Sequence, residues 1–182
     1  MEGLGRLLEK KGLRKISEEE YRNRFCFPLE LFYNQIGLVN EADPFEKIAY
    51  DFIDFYEKNL KRLNLFPGVL ETLTNSTATH SILSAAPEVH LHDITKTFGI
   101  HNHFQNIFGL GHAFGDSKVK RGQELLKNLD FKKEEIILIG DTDHDLEVGM
   151  ALGISVLLVA DGHQSYERLV KAHNKVLETR YA

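Results

Sequence analysis

Four apolar residues in a row, Ile136-Ile137-Leu138-Ile139, run into Gly140 and then a polar loop, and this segment limits what the chain can fold into. It is too short for a core helix and has no alternation, so it reads as a strand buried on both faces. Residues 154–159 form a second such run, residues 79–84 a β-branched third, and residues 104–108 a short fourth. Helical spacing fills the intervals at residues 88–98, 119–129, 146–152 and 166–170. Strands alternating with helices predict a Rossmann-like α/β core, a parallel sheet with helices on both faces. Ligands in such sheets collect at the carboxyl ends of the strands.

Before residue 66 the pattern is different. Leu4, Leu7 and Leu8 stand at helical spacing with Gly12 as a stop, and Ser17 with Glu20 predicts a capping box opening a helix toward Phe27. Asp43-Pro44 predicts an N-cap and first-turn proline ahead of a helix with Phe45, Ile48, Ala49, Phe52, Phe55 and Tyr56 on one side. The division expected is an all-helical domain over residues 1–65 and the α/β core over residues 66–182.

At 182 residues there is room for one domain with an appendage. A net charge of -5 provides no basic field for nucleic acid. The single cysteine, Cys26, excludes an internal disulfide and suits a reducing compartment. Charges at Glu2, Arg6, Glu9, Lys10 and Lys11 leave no signal-peptide stretch, and no apolar run approaches the roughly 18 residues of a membrane span. A cytoplasmic protein without membrane or nucleic-acid partners is expected.

The chemistry concentrates in Gly140-Asp141-Thr142-Asp143-His144-Asp145. Asp141 falls at the end of the apolar strand and Asp145 on the first turn of the next helix. Like charges this close repel unless a cation or basic group stands among them, and hard oxygen ligands suit Mg²⁺. The competing reading is that the aspartates cap a helix. An EF-hand fails, because its sixth position is Leu146 and its twelfth Leu152. Lys118 follows Gly115-Asp116-Ser117 at a helix start, where it serves an anion or is simply a surface lysine. Ser84 ends the strand His80-Ser81-Ile82-Leu83, placed to donate to a phosphate oxygen or to cap the helix that follows. The nine histidines, including His90/His92 and His101/His103, show no ligand spacing and read as surface or cap residues. Gly109-Leu110-Gly111 lacks the third glycine of a dinucleotide fingerprint, Phe114 standing in its place.

In order, Ile-Leu-Ser-Ala around Ser84, Gly-Asp-Ser-Lys ending at Lys118 and Ile-Gly-Asp-Thr-Asp-His-Asp ending at Asp145 resemble the second, third and fourth motifs of the haloacid dehalogenase superfamily. Phe66-Pro67-Gly68-Val69 is similar to that family's return from cap to core, and the segment from Val159 to Ser165 to the stretch after the last core strand in phosphoglycolate-phosphatase-like members. Residues 66–171 carry the resemblance; residues 1–65 look more loosely like the helical cap. It implies a Mg²⁺-dependent hydrolase of a small phosphorylated metabolite, acting through an aspartyl phosphate. Ser84 would then hold phosphate, Lys118 would neutralise phosphate and nucleophile, Asp141 would bind Mg²⁺ directly or through water, and Asp145 would support Lys118 and the metal shell.

The sequence departs from the family at its first motif, since no Asp-x-Asp-x-Thr occurs. With it go the nucleophile and the strand between those of Ile82 and Ile137, whose inner edges would be left unpaired and open to self-association. Three readings follow. The chain is a piece of a longer phosphatase, lacking roughly 20 residues of strand, loop and half-helix, and alone does not turn over. Or it is a remnant that binds phosphate or metal without catalysis, or is completed by a partner. Or it is receiver-like, although there the acidic cluster precedes the lysine, opposite to the order here.

Overall fold

The computed structural model describes residues 1–111 and 117–178. The chain divides into two compact units, one of Met1–Lys58 with Lys133–Ala182 and the other of Asn59–Lys132. Among the described residues no helix is long and apolar enough to cross a membrane.

The first unit begins with α1 (Glu2–Lys10), α2 (Glu18–Arg24), α3 (Leu29–Gln35) and most of α4 (Phe45–Asn59). Leu4, Leu7 and Leu8 of α1 are buried with Phe25, Phe32, Tyr33, Leu38 and Ile48 in one core, as their spacing predicts. Ser17 caps α2 by accepting from Glu20 N at 3.0 Å. The reciprocal half of that capping box is not made, because Glu20 instead binds Arg14 and Arg24. Helix α2 stops at Arg24, short of Phe27, and α3 starts afresh after a cis Phe27–Pro28 peptide. Asp43 does not cap α4 either. Its carboxylate pairs with Lys11 and Lys47, which draw its pKa down to about 2. The first helical bonds run from the amides of Lys47 and Ile48 to Pro44 O.

The same unit carries β3 (Ile137–Gly140), α8 (Asp143–Leu152), β4 (Ser155–Val159), α9 (Tyr166–Ala172) and β5 (Val176–Leu177). The strands lie in the order β3-β4-β5, all parallel, with Ile137 opposite Ser155 and Gly140 opposite Leu158. Alternation along β3 and β4 puts Leu138, Val156 and Leu158 on one face, packed with Leu146 of α8 and Leu169 of α9. Ile137 and Ile139 point the other way and are 53% and 61% exposed, so β3 is buried on one face only, where its unbroken apolar run predicts burial on both.

The second unit holds α5 (Val69–Asn75), β1 (His80–Pro87), α6 (Glu88–Thr97), β2 (Phe104–Leu110) and α7 (Lys118–Lys127). Strands β1 and β2 are parallel, joined through α6, and α7 packs against both. All pairing in both sheets is parallel, so the α/β architecture expected from the apolar runs is the one observed. The strands of Ile82 and Ile137 belong to separate sheets.

Candidate active site

Strand β3 delivers its last residue, Gly140, to the start of an acidic turn. Thr142 is the N-cap of α8, and its hydroxyl oxygen accepts from Asp145 N at 3.2 Å. Asp145 Oδ2 in return accepts from Thr142 N at 3.0 Å, from the Thr142 hydroxyl at 2.6 Å and from Asp141 N at 3.1 Å. Thr142 and Asp145 are both buried. A side chain at Gly140 would overlap the Asp145 carboxylate, so the strand must end in glycine for the turn to close. Asp145, expected to serve Lys118 and the metal shell, thus spends one oxygen on shaping the loop that presents Asp141.

Asp143 is committed as well. Arg168 Nη2 donates to its Oδ2 at 2.6 Å and Gln164 Nε2 to its Oδ1 at 2.8 Å, while Asp143 N donates to Gln164 Oε1 at 2.8 Å. The last bond satisfies a first-turn amide that α8 itself leaves without a partner. The fully buried Gln164 also donates to Phe25 O at 3.1 Å, and Arg168 Nη1 donates to the same carbonyl at 2.5 Å.

Asp141 is different. Its Oδ2 accepts from His163 N at 2.6 Å, and its Oδ1 has no partner among the described residues. The His163 ring stacks on Phe25 at 4.4 Å between centroids, and its Nδ1 shares a 2.5 Å hydrogen bond with the Tyr21 hydroxyl. Burial holds the His163 imidazole below its ordinary pKa against the pull of Asp141, and burial lifts the Tyr21 phenol above its own.

No group of three or more His, Cys, Asp or Glu gathers as a metal cage among the described residues. Mg²⁺ rarely asks for one, since it keeps several waters and takes one or two carboxylates together with substrate phosphate. Asp141, half held and half open, fits that role, and Asp143 does not.

Ser84 and Lys118 belong to the second unit. Ser84 does not end its strand: β1 continues to Pro87, slipping register against β2 between Leu83 and Pro87. Its oxygen accepts from Ala86 N at 3.1 Å, and its proton meets no acceptor among the described residues. The capping alternative for Ser84 is overturned, because Pro87 stands at the N-cap of α6 and no side chain caps that helix. Lys118 is the first residue of α7, behind Ser117, which accepts from Val119 N at 3.2 Å. Gly115 and Asp116 of the expected motif lie outside the described residues. One turn on, Arg121 Nε donates to Gly109 O at 2.7 Å. Its guanidinium pairs with Glu88 and Glu124 and lies 4.7 Å over the Phe108 ring. The start of α7 is thereby fastened to the end of β2.

Comparison with known proteins decides the affiliation. Residues 1–159 match the family described as haloacid dehalogenase-like hydrolase. The chain belongs to this family. Among solved structures, this haloacid dehalogenase-like chain is similar to a hydrolase of the same family from Streptococcus pneumoniae, at 19% identity and TM-score 0.80 over 96% of this chain and 83% of that one. A protein described as a predicted phosphatase from Clostridium acetobutylicum aligns at 17% identity and TM-score 0.77, over 98% and 85%. One described as a predicted phosphoglycolate phosphatase from Haemophilus somnus aligns at 19% and 0.68, over 89% and 78%. Among curated proteins none matches significantly. The haloacid dehalogenase-like fold is thus shared with proteins described as phosphatases.

The sequence reading passed over Tyr21, Phe25, Gly162, His163, Gln164 and Arg168 as site residues. The one signal that points to some of them is position: residues 161–165 follow β4 directly at its carboxyl end.

Proposed function

We propose that this chain supplies the phosphate- and Mg²⁺-handling groups of a cytoplasmic haloacid dehalogenase-type phosphatase acting on a small phosphate monoester. The observation that carries the reading is Asp141, held at the carboxyl end of a parallel strand by one oxygen with the other left open. Asp141 would hold Mg²⁺, which when bound draws charge from the phosphate and the attacking carboxylate. Ser84 would give its unspent proton to a phosphate oxygen. Lys118 would bring its ammonium to the charge that develops on phosphorus oxygens. In the reaction a carboxylate attacks phosphorus as the ester P–O bond breaks and the alcohol leaves with a proton; water then attacks the aspartyl phosphate, releasing inorganic phosphate and restoring the carboxylate. No Asp-x-Asp-x-Thr stands among the 182 residues; on this reading the chain alone binds phosphate and Mg²⁺ and does not turn over.

Two measurements test this. Thermal melts with Mg²⁺ and inorganic phosphate together should show stabilisation that Asp141→Asn removes. An unchanged melting temperature for the parent chain overturns the binding roles. Phosphate release from a monoester should stay at the buffer rate; Mg²⁺-dependent release that Asp141→Asn abolishes overturns the inactivity.

A further inference from the structure

We infer that Gly162 and His163 are positioning residues for Asp141, Gly162 by leaving space for its carboxylate and His163 by fixing it through a backbone N–H. The inference rests on the Mg²⁺ role proposed for Asp141.

Gly162 is not among the glycines at positive φ, so its backbone does not demand glycine. Space does. A Cβ built there overlaps Oδ2, Cγ and Cβ of Asp141. Alanine at 162 therefore forces Asp141 to another rotamer or pushes apart the two loops that follow β3 and β4. Either movement breaks the 2.6 Å bond from His163 N to Oδ2. That bond matters because an aspartate free to turn about both side-chain torsions gives a cation no fixed ligand. With Oδ2 pinned, the direction of Oδ1 is set before any cation arrives.

His163 does not hold this position by itself. Its ring is clamped between the face of Phe25 and the hydroxyl of Tyr21, both contributed by a stretch that lies about 140 residues earlier in the chain. Arg22 Nη1 adds a bond to Ala160 O at 3.1 Å, and Ser165 Oγ donates to Asn23 Oδ1 at 2.8 Å. Helix α2 and the residues after it thus brace the loop after β4, and that loop in turn aims Asp141.

The test is Mn²⁺ affinity of the 182-residue chain, read by electron paramagnetic resonance of free Mn²⁺, alongside melting in metal-free buffer. Gly162→Ala should weaken Mn²⁺ binding roughly 10- to 100-fold, the range for groups that orient a metal ligand, and Asp141→Asn, which removes the ligand's charge, at least as much. Added to Asp141→Asn, Gly162→Ala should cause no further loss, since it acts through that carboxylate. Tyr21→Phe, which keeps the ring and loses the hydroxyl, should cost a few-fold. Gly162→Ala binding within twofold of the parent, with Asp141→Asn impaired, overturns the inference and leaves the Mg²⁺ role standing. Absence of Mn²⁺ binding in the parent, or full binding by Asp141→Asn, overturns both. If Gly162→Ala fails to fold, the His163 backbone amide decides by ¹⁵N NMR. Asp141→Asn and saturating Mg²⁺ should each move its resonance, and an amide that ignores both overturns the inference.

Discussion

The turn around Asp141 and the neighbourhood of Ser84 and Lys118 are held by different means. In the first, most of the anchoring groups are short side chains and backbone amides, with Arg168 the one long side chain, paired to Asp143. Asp145 takes three donors on one oxygen, Gln164 bridges a helix amide and a distant carbonyl, and Asp141 is pinned by a single N–H. In the second, one long side chain does most of the anchoring, Arg121 reaching the backbone of β2 and two carboxylates. Ser84 rests on one local bond. The contrast teaches that a buried carboxylate shared among amides fixes a loop more rigidly than an ion pair fixes a helix end, because each lost partner strands a donor away from water.

The largest effect expected is from Asp145→Ala. Two amides and a hydroxyl lose their acceptor in a buried place, at about 1 kcal/mol or more apiece, so thermal unfolding should register a loss of about 3 kcal/mol or more. A loss below about 1 kcal/mol would break the contrast. Arg121→Ala should cost about 2 kcal/mol, and Arg121→Lys should not rescue it, since an ammonium cannot reproduce the planar fork over Phe108. Amide exchange would place that loosening at α7 and β2. A lysine that restores full protection would show that charge alone anchors this end.

A pH test probes the aromatic core that backs the first region. Burial pushes the Tyr33 phenol up to about 12 from 10.0. Unfolded chains ionise first as pH rises past about 10, so stability present below that pH is lost between pH 10 and 12, by up to about 2 kcal/mol. Urea midpoints across that window should fall, and should fall less in Tyr33→Phe. The smallest effect is Ser84→Ala, within about 1 kcal/mol of the parent by melting, given one local bond. A larger loss would mean that the bulge in β1 depends on that hydroxyl.

Much of this was legible in the residues themselves, and the limits are physical. Apolar and β-branched runs located β1 through β4, but not the open face of β3, because an unbroken apolar run reads as buried on both sides. The position of Asp145 on the first turn of α8 followed from the length of the loop after Gly140. The start of α3 was missed because Pro28 there begins a helix inside a stretch that reads as helical throughout, and β5 because two residues leave no pattern. Glu20 was expected to close a capping box and is taken by two arginines, a competition decided in three dimensions. The contact of Tyr21 with His163 spans 142 residues, and no spacing rule reaches so far.

Gln164 carries a last consequence. Its amide is fully buried with its nitrogen directed to Phe25 O and Asp143 Oδ1 and its oxygen to Asp143 N, an orientation that flipping the amide would spoil at each contact. The side chain therefore works as a polarity key, readable only in one sense. Glutamate has the same outline but offers oxygen where nitrogen is needed, setting an anion against a carbonyl and against Asp143. Exchange of a single NH₂ for O⁻ there, as hydrolysis of the amide would bring about, changes almost no volume and yet turns a fastening between chain segments into a repulsion.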